Sequence, residues 1–596
     1  MDNSYKNKLV PGVTFSQNGE AQIVLWAPKA EDVSIKIDEE GGISLNKADK
    51  GYWTLNTSKL KPLDKYKFIL NGTDELPDPA SRSQPDGVHG PSQAIDLAAY
   101  RKEAADWNNL PLTDYIIYEL HTGTFTPDGT FADIENKLPY LKELGITAIE
   151  IMPVAQFPGE RNWGYDGVFP YAVQNSYGGP EALFNLVNAC HQHGLAVILD
   201  VVYNHVGPEG NYFNEFGPYF TQKYNTPWGN AVNFDDAGCD EVRNYFVQNV
   251  LMWFRDFGID ALRLDAVHAI KDFSPKHILQ EMREAVDELM SKTGKTHYLI
   301  IEFDLNDKRF IDPIDNHGFG MHAQWIDEFH HALRVTVGGD RNGYYSDFNG
   351  LQHLAKAYKD AYVYDGVYSP KRQKTFGTKT NNPGWQFVAF SQNHDHVGNR
   401  MLGERSSTLF SFEMQKLMAA AVMVSPYLPM LFMGEEYSEQ KPFLYFVSHT
   451  DKELIEAVRK GRKDEFKAFH SEGEAPDPQA EDTFEQSKLN WDSLNGIHHQ
   501  TMLGYYKQLI QLRKSIPALH GYNRENLAVE FDESAQTLRL YRWEGQNQVY
   551  CYMNFSDEAQ SFVPPEGNFT IALNSSSTNS QSENQLQPQS VIIYTN

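Results

Sequence analysis

The chain has 596 residues, with 52 Lys plus Arg against 79 Asp plus Glu and a net charge of −27, so its surface repels phosphate backbones and anionic lipid headgroups and disfavours nucleic acid and membrane partners. Hydrophobic residues at 41% and charged residues at 22% suit a globular chain and not a disordered one, and the length allows several domains. The three cysteines, Cys190, Cys239 and Cys551, are too widely and irregularly spaced for a disulfide framework or a metal-ligand pattern.

The chain starts MDNSYKNKLV, without the apolar core of a signal peptide, so a cytoplasmic protein is expected. The first hundred residues read as strands: "AQIVLWAPKAEDVSIKI" (21–37) and "KYKFIL" (65–70) alternate apolar and polar side chains between turn signals. The expectation is an immunoglobulin-like β-sandwich of the carbohydrate-module type over 1–107. From Asp114 eight short apolar runs alternate with amphipathic stretches: "YIIYELH" (115–121), "TAIEIMPV" (147–154), "LAVILDVVYNH" (195–205), "IDALRLDAVH" (259–268), "YLIIEFD" (298–304), "HAQWIDEF" (322–329), "QFVAFSQNHD" (386–395) and "LPMLFMGEE" (428–436). Predicted helices over 133–145, 181–194 and 240–258 each stop on glycine, the residue that best tolerates a left-handed C-terminal turn. Near-continuous apolar runs suit parallel strands buried on both faces, and eight β-then-α units close into a (β/α)₈ TIM barrel, here over 108–520 with loop insertions.

The uncharged stretch Leu417–Met433 contains Pro426 and Pro429 and is short for a membrane span, so it reads as buried core. The long acidic segment Phe443–Asn490 reads as a loop or subdomain, and 502–519 as the closing helix. "LAVEFD", "TLRLYRWE", "QVYCYMNF" and "VIIYT" then form a C-terminal all-β domain over 521–596, with the polar tract 575–590 as a loop inside it.

Chemistry is expected where polar residues interrupt the apolar runs. Asp200 and His205 lie on the third run, Asp265 on the fourth, Glu302 on the fifth and Asp395 on the seventh. In a barrel these carboxyl ends converge on one mouth. Asp265, Glu302 and Asp395 then form a carboxylate cluster with Arg263, His205 and His394 close by. Like charges in one cleft push at least one carboxyl pKa upward, and an acid beside an ionised carboxylate suits glycosidic bond cleavage.

"DVVYNH" (200–205), "ALRLDAVH" (261–268), "IIEFD" (300–304) and "SQNHDHVGN" (391–399) resemble, in order and in strand position, the four sequence regions of the α-amylase superfamily, glycoside hydrolase family 13. The resemblance implies a retaining glycosidase with Asp265 as nucleophile, Glu302 as general acid/base and Asp395 as transition-state stabiliser. It further implies that Arg263 keeps Asp265 ionised, that His205, His394 and Asn399 help bind substrate, and that Tyr165 forms an aromatic platform under the sugar.

The loops 215–235, 163–180, 305–310, 324–333 and 433–446 resemble those of the malto-oligosyltrehalose trehalohydrolases, which cleave the α-1,4 bond next to a terminal trehalose. On that resemblance the trehalose side of the cleft is expected to be built by Tyr219, Phe220, Trp228, His268, Trp325, Asp327, Glu328, Phe329 and His330. Phe303 and His396 depart from the usual pattern and bear on subsite geometry. Competing readings are an α-1,4-glucan branching enzyme, another amylase-type α-glucan hydrolase, or an inactive glucan-binding scaffold. The three carboxylates argue against the scaffold. No cofactor or catalytic metal is expected, because carboxylate acid/base chemistry needs none; a structural calcium and the oligomeric state stay open.

Overall fold

In the computed structural model, which describes residues 8–38, 41–101, 106–468, 475–576 and 584–596, each apolar run supplies one strand of a closed barrel. In chain order these are Ile117–Leu120, Ala148–Ile151, Ala196–Val201, Ala261–Leu264, Tyr298–Ile301, Ala323–Trp325, Phe387–Phe390 and Leu428–Phe432. Neighbours are parallel throughout, and the first strand closes onto the eighth with Ile117 opposite Met430.

Side chains alternate along a strand, so one set points into the barrel. At the lower end that set is Ile117, Ala148, Ala196, Ile198, Ala261, Ile300 and Ala323, whose small alanines leave room for Trp325 and Phe390. Two residues further along, the same rows turn polar: Glu119 follows Ile117, Glu150 follows Ala148, Asp200 follows Ile198, Arg263 follows Ala261 and Glu302 follows Ile300. Register places Glu119 opposite Glu150 and Asp200 opposite Arg263. The barrel therefore has an apolar floor and a charged upper layer.

The helices stop as expected on left-handed glycines, Gly145 (φ 103°) and Gly258 (φ 75°). The predicted helix over 133–145 is instead two, Phe131–Glu135 and Leu138–Leu144, because Pro139 suits only the first turn of a new helix. The stretch Leu417–Met433 divides between the helix Phe412–Met423 and the eighth strand.

Before the barrel, strands pair into two antiparallel sheets, and after it five strands between Leu527 and Thr595 form another. Tyr52 Oη donates to Glu241 Oε2 (2.5 Å), Tyr245 Oη donates to the Pro79 carbonyl (2.7 Å), and Trp26 meets Tyr219 edge-on at 5.1 Å, so the N-terminal sheets are locked onto the loop and helix after the third strand. The acidic segment 443–490 contains the helices Lys452–Ala468 and Glu481–Gln486, with 469–474 outside the described residues. The predicted loop 575–590 lies partly outside them, at 577–583, as do residues 1–7 of the N-terminal stretch read for a signal sequence. Among the described residues no helix is long and apolar enough to cross a membrane.

Candidate active site

One buried guanidinium organises the charged layer. Arg263 Nη1 donates to both oxygens of Asp200 (3.0 and 2.9 Å) and to Asp265 Oδ1 (2.9 Å), while Nη2 lies 3.7 Å from Glu302 Oε2. Asn204 Nδ2 donates to Asp265 Oδ2 at 2.9 Å. The backbone N–H of Ala266 donates to Glu302 Oε2 at 2.6 Å, with Ala266 held in the left-handed region at φ 40°. Asn399 Nδ2 donates to Asp395 Oδ1 at 2.6 Å. Tyr165 Oη donates to Asp200 Oδ2 (2.6 Å) and meets His394 Nε2 (2.8 Å), the two rings stacking at 5.3 Å.

These groups open onto two adjoining cavities. The smaller, about 260 Å³, is lined by Tyr165, His205, Trp228, Arg263, Asp265 and His394. The larger, about 440 Å³, reaches Asp304, Glu328, Tyr344, Tyr364, Lys371 and Arg372. His268, Glu302, Trp325, Asp327 and Asp395 form the wall that faces both.

Burial drives the Glu302 carboxyl well above the usual carboxylate range; Arg263 opposes this and Asp265 adds to it. Burial, reinforced by Asp395, lifts Asp327 to about 7, and burial lifts Asp200 to about 6 against the pull of Arg263. Burial lowers His205 and His268. A carboxyl whose pKa burial raises thus sits beside one whose oxygens accept from Arg263 and Asn204. That pairing can protonate a leaving oxygen while a second carboxylate attacks or stabilises the sugar carbon. Among the described residues no cluster of three or more His, Cys, Asp or Glu side chains is grouped to hold a metal ion.

The family pattern for the alpha amylase catalytic domain matches residues 76–228. A malto-oligosyltrehalose trehalohydrolase of Saccharolobus solfataricus is 50% identical over 506 residues, 84% of this chain and 85% of that protein. Another, from Rhizobium sp., is 43% identical over 92% of this chain and 93% of its own. The chain belongs to the malto-oligosyltrehalose trehalohydrolase family. A solved structure titled as a putative alpha amylase from Salmonella typhimurium superposes with a TM-score of 0.91 at 36% identity, covering 98% of this chain and 99% of its own.

Against that family background, the expected residues divide into those at the mouth and those behind it. Tyr165, His205, Arg263, Asp265, His268, Glu302, Asp327, His394 and Asp395 all line a cavity. Trp228, 48% exposed and stacked on His205 at 4.5 Å and 2°, lies on the Tyr165 side; the expectation that groups it with Glu328 is corrected. Phe329 is fully buried against Tyr358 and Tyr427 and cannot stack on a sugar. His330 is buried behind His396, with Nδ1 on the Ser391 carbonyl (2.6 Å) and Nε2 on Tyr345 Oη (2.9 Å). Tyr219 packs into the seam with the N-terminal sheets, and Phe220 beside it meets Phe213 edge-on.

Trp325 is nearly all core, its ring under the Arg263 guanidinium at 4.3 Å. One oxygen of the Glu328 carboxyl, Oε2, accepts the backbone N–H groups of Val363 (2.6 Å) and Tyr364 (3.0 Å), which ties this part of the larger cavity's wall to the segment 363–364. Asn399 acts on Asp395. Glu119, Asn204, Tyr344, Lys371 and Arg372 were not anticipated. Glu119 had a signal, a carboxylate inside the apolar run "YIIYELH". The last three come from the long connection after the sixth strand, from a short turn at Gly343–Asp347 and a hairpin tip between Val367–Ser369 and Lys374–Phe376 that lie outside its two amphipathic helices.

Proposed function

We infer that the chain hydrolyses the α-1,4-glucosidic bond next to the terminal trehalose of malto-oligosyltrehalose, releasing trehalose and a malto-oligosaccharide with retention of configuration. Asp265 is the nucleophile, Glu302 the general acid/base and Asp395 the group that stabilises the charged sugar between them. Glu302 gives its proton to the glycosidic oxygen as the C1–O bond breaks, and an Asp265 oxygen forms the new bond to C1. Glu302, now ionised, takes a proton from water as that water attacks C1 and frees Asp265.

One observation carries the reading: Glu302 and Asp395 face both cavities, whereas Asp265, Tyr165 and His205 face only the smaller. An acid protonates the departing oxygen, so the leaving group belongs on the far side of Glu302. The smaller cavity then holds the glucose that is attacked, and the larger holds trehalose. Tyr344, 39% exposed, supplies an aromatic ring there, and Asp304, Lys371 and Arg372 supply groups for hydroxyls.

The division of the chain follows the same reading: a carbohydrate-module sandwich over 1–107, the catalytic barrel over 108–520 and a β domain over 521–596. Three free thiols fit a reducing, cytoplasmic compartment. Product analysis tests the assignment. Maltotriosyltrehalose is expected to yield trehalose and maltotriose, and amylose to gain no branch points; new branch points from amylose would make the chain a glucan transferase instead.

A further inference from the structure

The hydrogens around His394 can be assigned one by one. Its Nδ1 lies 2.5 Å from Glu119 Oε1, and its backbone N–H donates to Glu119 Oε2 at 3.0 Å, so the carboxylate of Glu119 takes two hydrogens from one residue. Nε2 lies 2.8 Å from Tyr165 Oη. That hydroxyl has a single hydrogen, and it goes to Asp200 Oδ2 at 2.6 Å, on a carboxylate that already accepts Arg263 on both oxygens. Tyr165 therefore has only lone pairs to offer Nε2. Both ring nitrogens carry hydrogen, which makes the ring an imidazolium.

We propose that Glu119 is a positioning residue of this reaction: it holds His394 as an imidazolium that orients the Tyr165 platform and supplies a second fixed cation beneath the attacked sugar. The proposal rests on the hydrolytic reading of the site given above.

The surrounding charges agree. Facing His394 are Glu119 and His121 from the first strand and the turn after it, Tyr165 from the loop after the second, Asp200 from the third, Arg263 from the fourth, and Asp395 and His396 on its own segment. Trp163 and Trp325 pack on the ring at 5.7 and 6.2 Å. Burial keeps His121 and His396 neutral by lowering both. Glu150, opposite Glu119, has neither oxygen hydrogen-bonded and is driven well above the carboxylate range by burial and then by Glu119. Carboxyl groups of Glu119, Asp200, Asp265 and Asp395 thus share this layer with the single guanidinium of Arg263, and a second cation reduces the mismatch. Burial alone would lower His394; Glu119 reverses this and raises it.

Glu119→Gln keeps the shape and removes the charge. His394 then loses its proton at lower pH and replaces Glu302 as the group that sets the alkaline limb of the kcat/KM profile, which moves to lower pH by about one unit or more, read as about a tenfold loss at pH 8 with little loss at pH 5. Glu119→Asp is expected to move the limb back toward the wild-type position. An equal loss at every pH in Glu119→Gln overturns the proposal and leaves Glu119 a spacer. Should Glu119→Gln not fold, side-chain nitrogen NMR of the wild-type protein labelled at histidine decides, with His394 identified by its absence in His394→Gln. Two protonated ring nitrogens at pH 7.5 are expected, and one bare nitrogen overturns the proposal. This spectrum does not depend on substrate, so it can fail while the hydrolytic reading stands.

Discussion

The backbone N–H of Ala266 donates to Glu302 Oε2 at 2.6 Å, and Ala266 adopts φ 40° to do so. An alanine in that region carries a backbone cost of about 1–3 kcal/mol, placed between the two carboxylates expected to do the chemistry. Ala266→Gly relieves the strain but gains entropy in the unfolded chain, and the two effects offset to within about 1 kcal/mol. Thermal unfolding is therefore expected to change little while kcat falls, because the Glu302 carboxyl is less firmly held. Unchanged kcat would show that this contact does not matter to the acid.

Asp265→Asn, Glu302→Gln and Asp395→Asn are each nearly isosteric, and each is expected to lower kcat by at least about 10²–10⁴-fold with the fold intact, checked by circular dichroism and steady-state kinetics. Because burial raises Glu302, the wild-type rate falls as pH rises through its pKa and the acid is lost. Near-normal turnover in any one variant removes that residue from the chemistry.

Much of this was readable in the sequence, for a physical reason. A strand buried on both faces must be apolar, so Asp200, Asp265, Glu302 and Asp395 stand out at the ends of their runs, and all eight runs became barrel strands. The trehalose side was less readable. Helix Asp327–Thr336 turns Phe329 and His330 toward the core, and strand alternation turns Trp325 inward, which a loop-by-loop list of aromatic and polar residues does not capture. Tyr344, Lys371 and Arg372 reach the cavity from a short turn and a hairpin tip outside the helices of the long connection, too short for a period to mark them. Glu119 carries the same signal as Asp200, each being the next-to-last residue of its strand.

Glu436 is buried away from the cavities and accepts Tyr118 Oη (3.1 and 3.2 Å) and Tyr140 Oη (2.8 Å), and burial lifts its pKa to about 7. A carboxyl raised on folding stabilises fully below its unfolded value, and that stability is lost as pH rises through the folded value. The window is therefore pH 4.5 to about 7, with a contribution on the order of 3 kcal/mol. Glu436→Gln does not titrate, so the decline in stability across that window should be shallower in the variant, as followed by chemical denaturation at several pH values. An identical slope contradicts the assignment.

Glu328→Gln keeps an acceptor for the Val363 and Tyr364 amides and is expected to retain most of the wild-type preference for trehalose-terminated substrate. Glu328→Ala leaves both amides without that partner, loosens the wall of the larger cavity and should raise KM for maltotriosyltrehalose more than for maltopentaose. Trp228→Ala, on the opposite side, should weaken both substrates alike. Equal effects of the two Glu328 variants would mean that wall plays no part in selection.

The central claim, that the larger cavity beyond Glu302 receives trehalose, is tested most directly by comparing kcat/KM on maltotriosyltrehalose and maltopentaose, which have the same number of glucose units and differ only in the terminal linkage. A site whose polar groups are placed for one disaccharide leaves them unpaired with another, so the account predicts much faster cleavage of maltotriosyltrehalose, with trehalose as the released disaccharide. Equal kcat/KM values on the two substrates would contradict it.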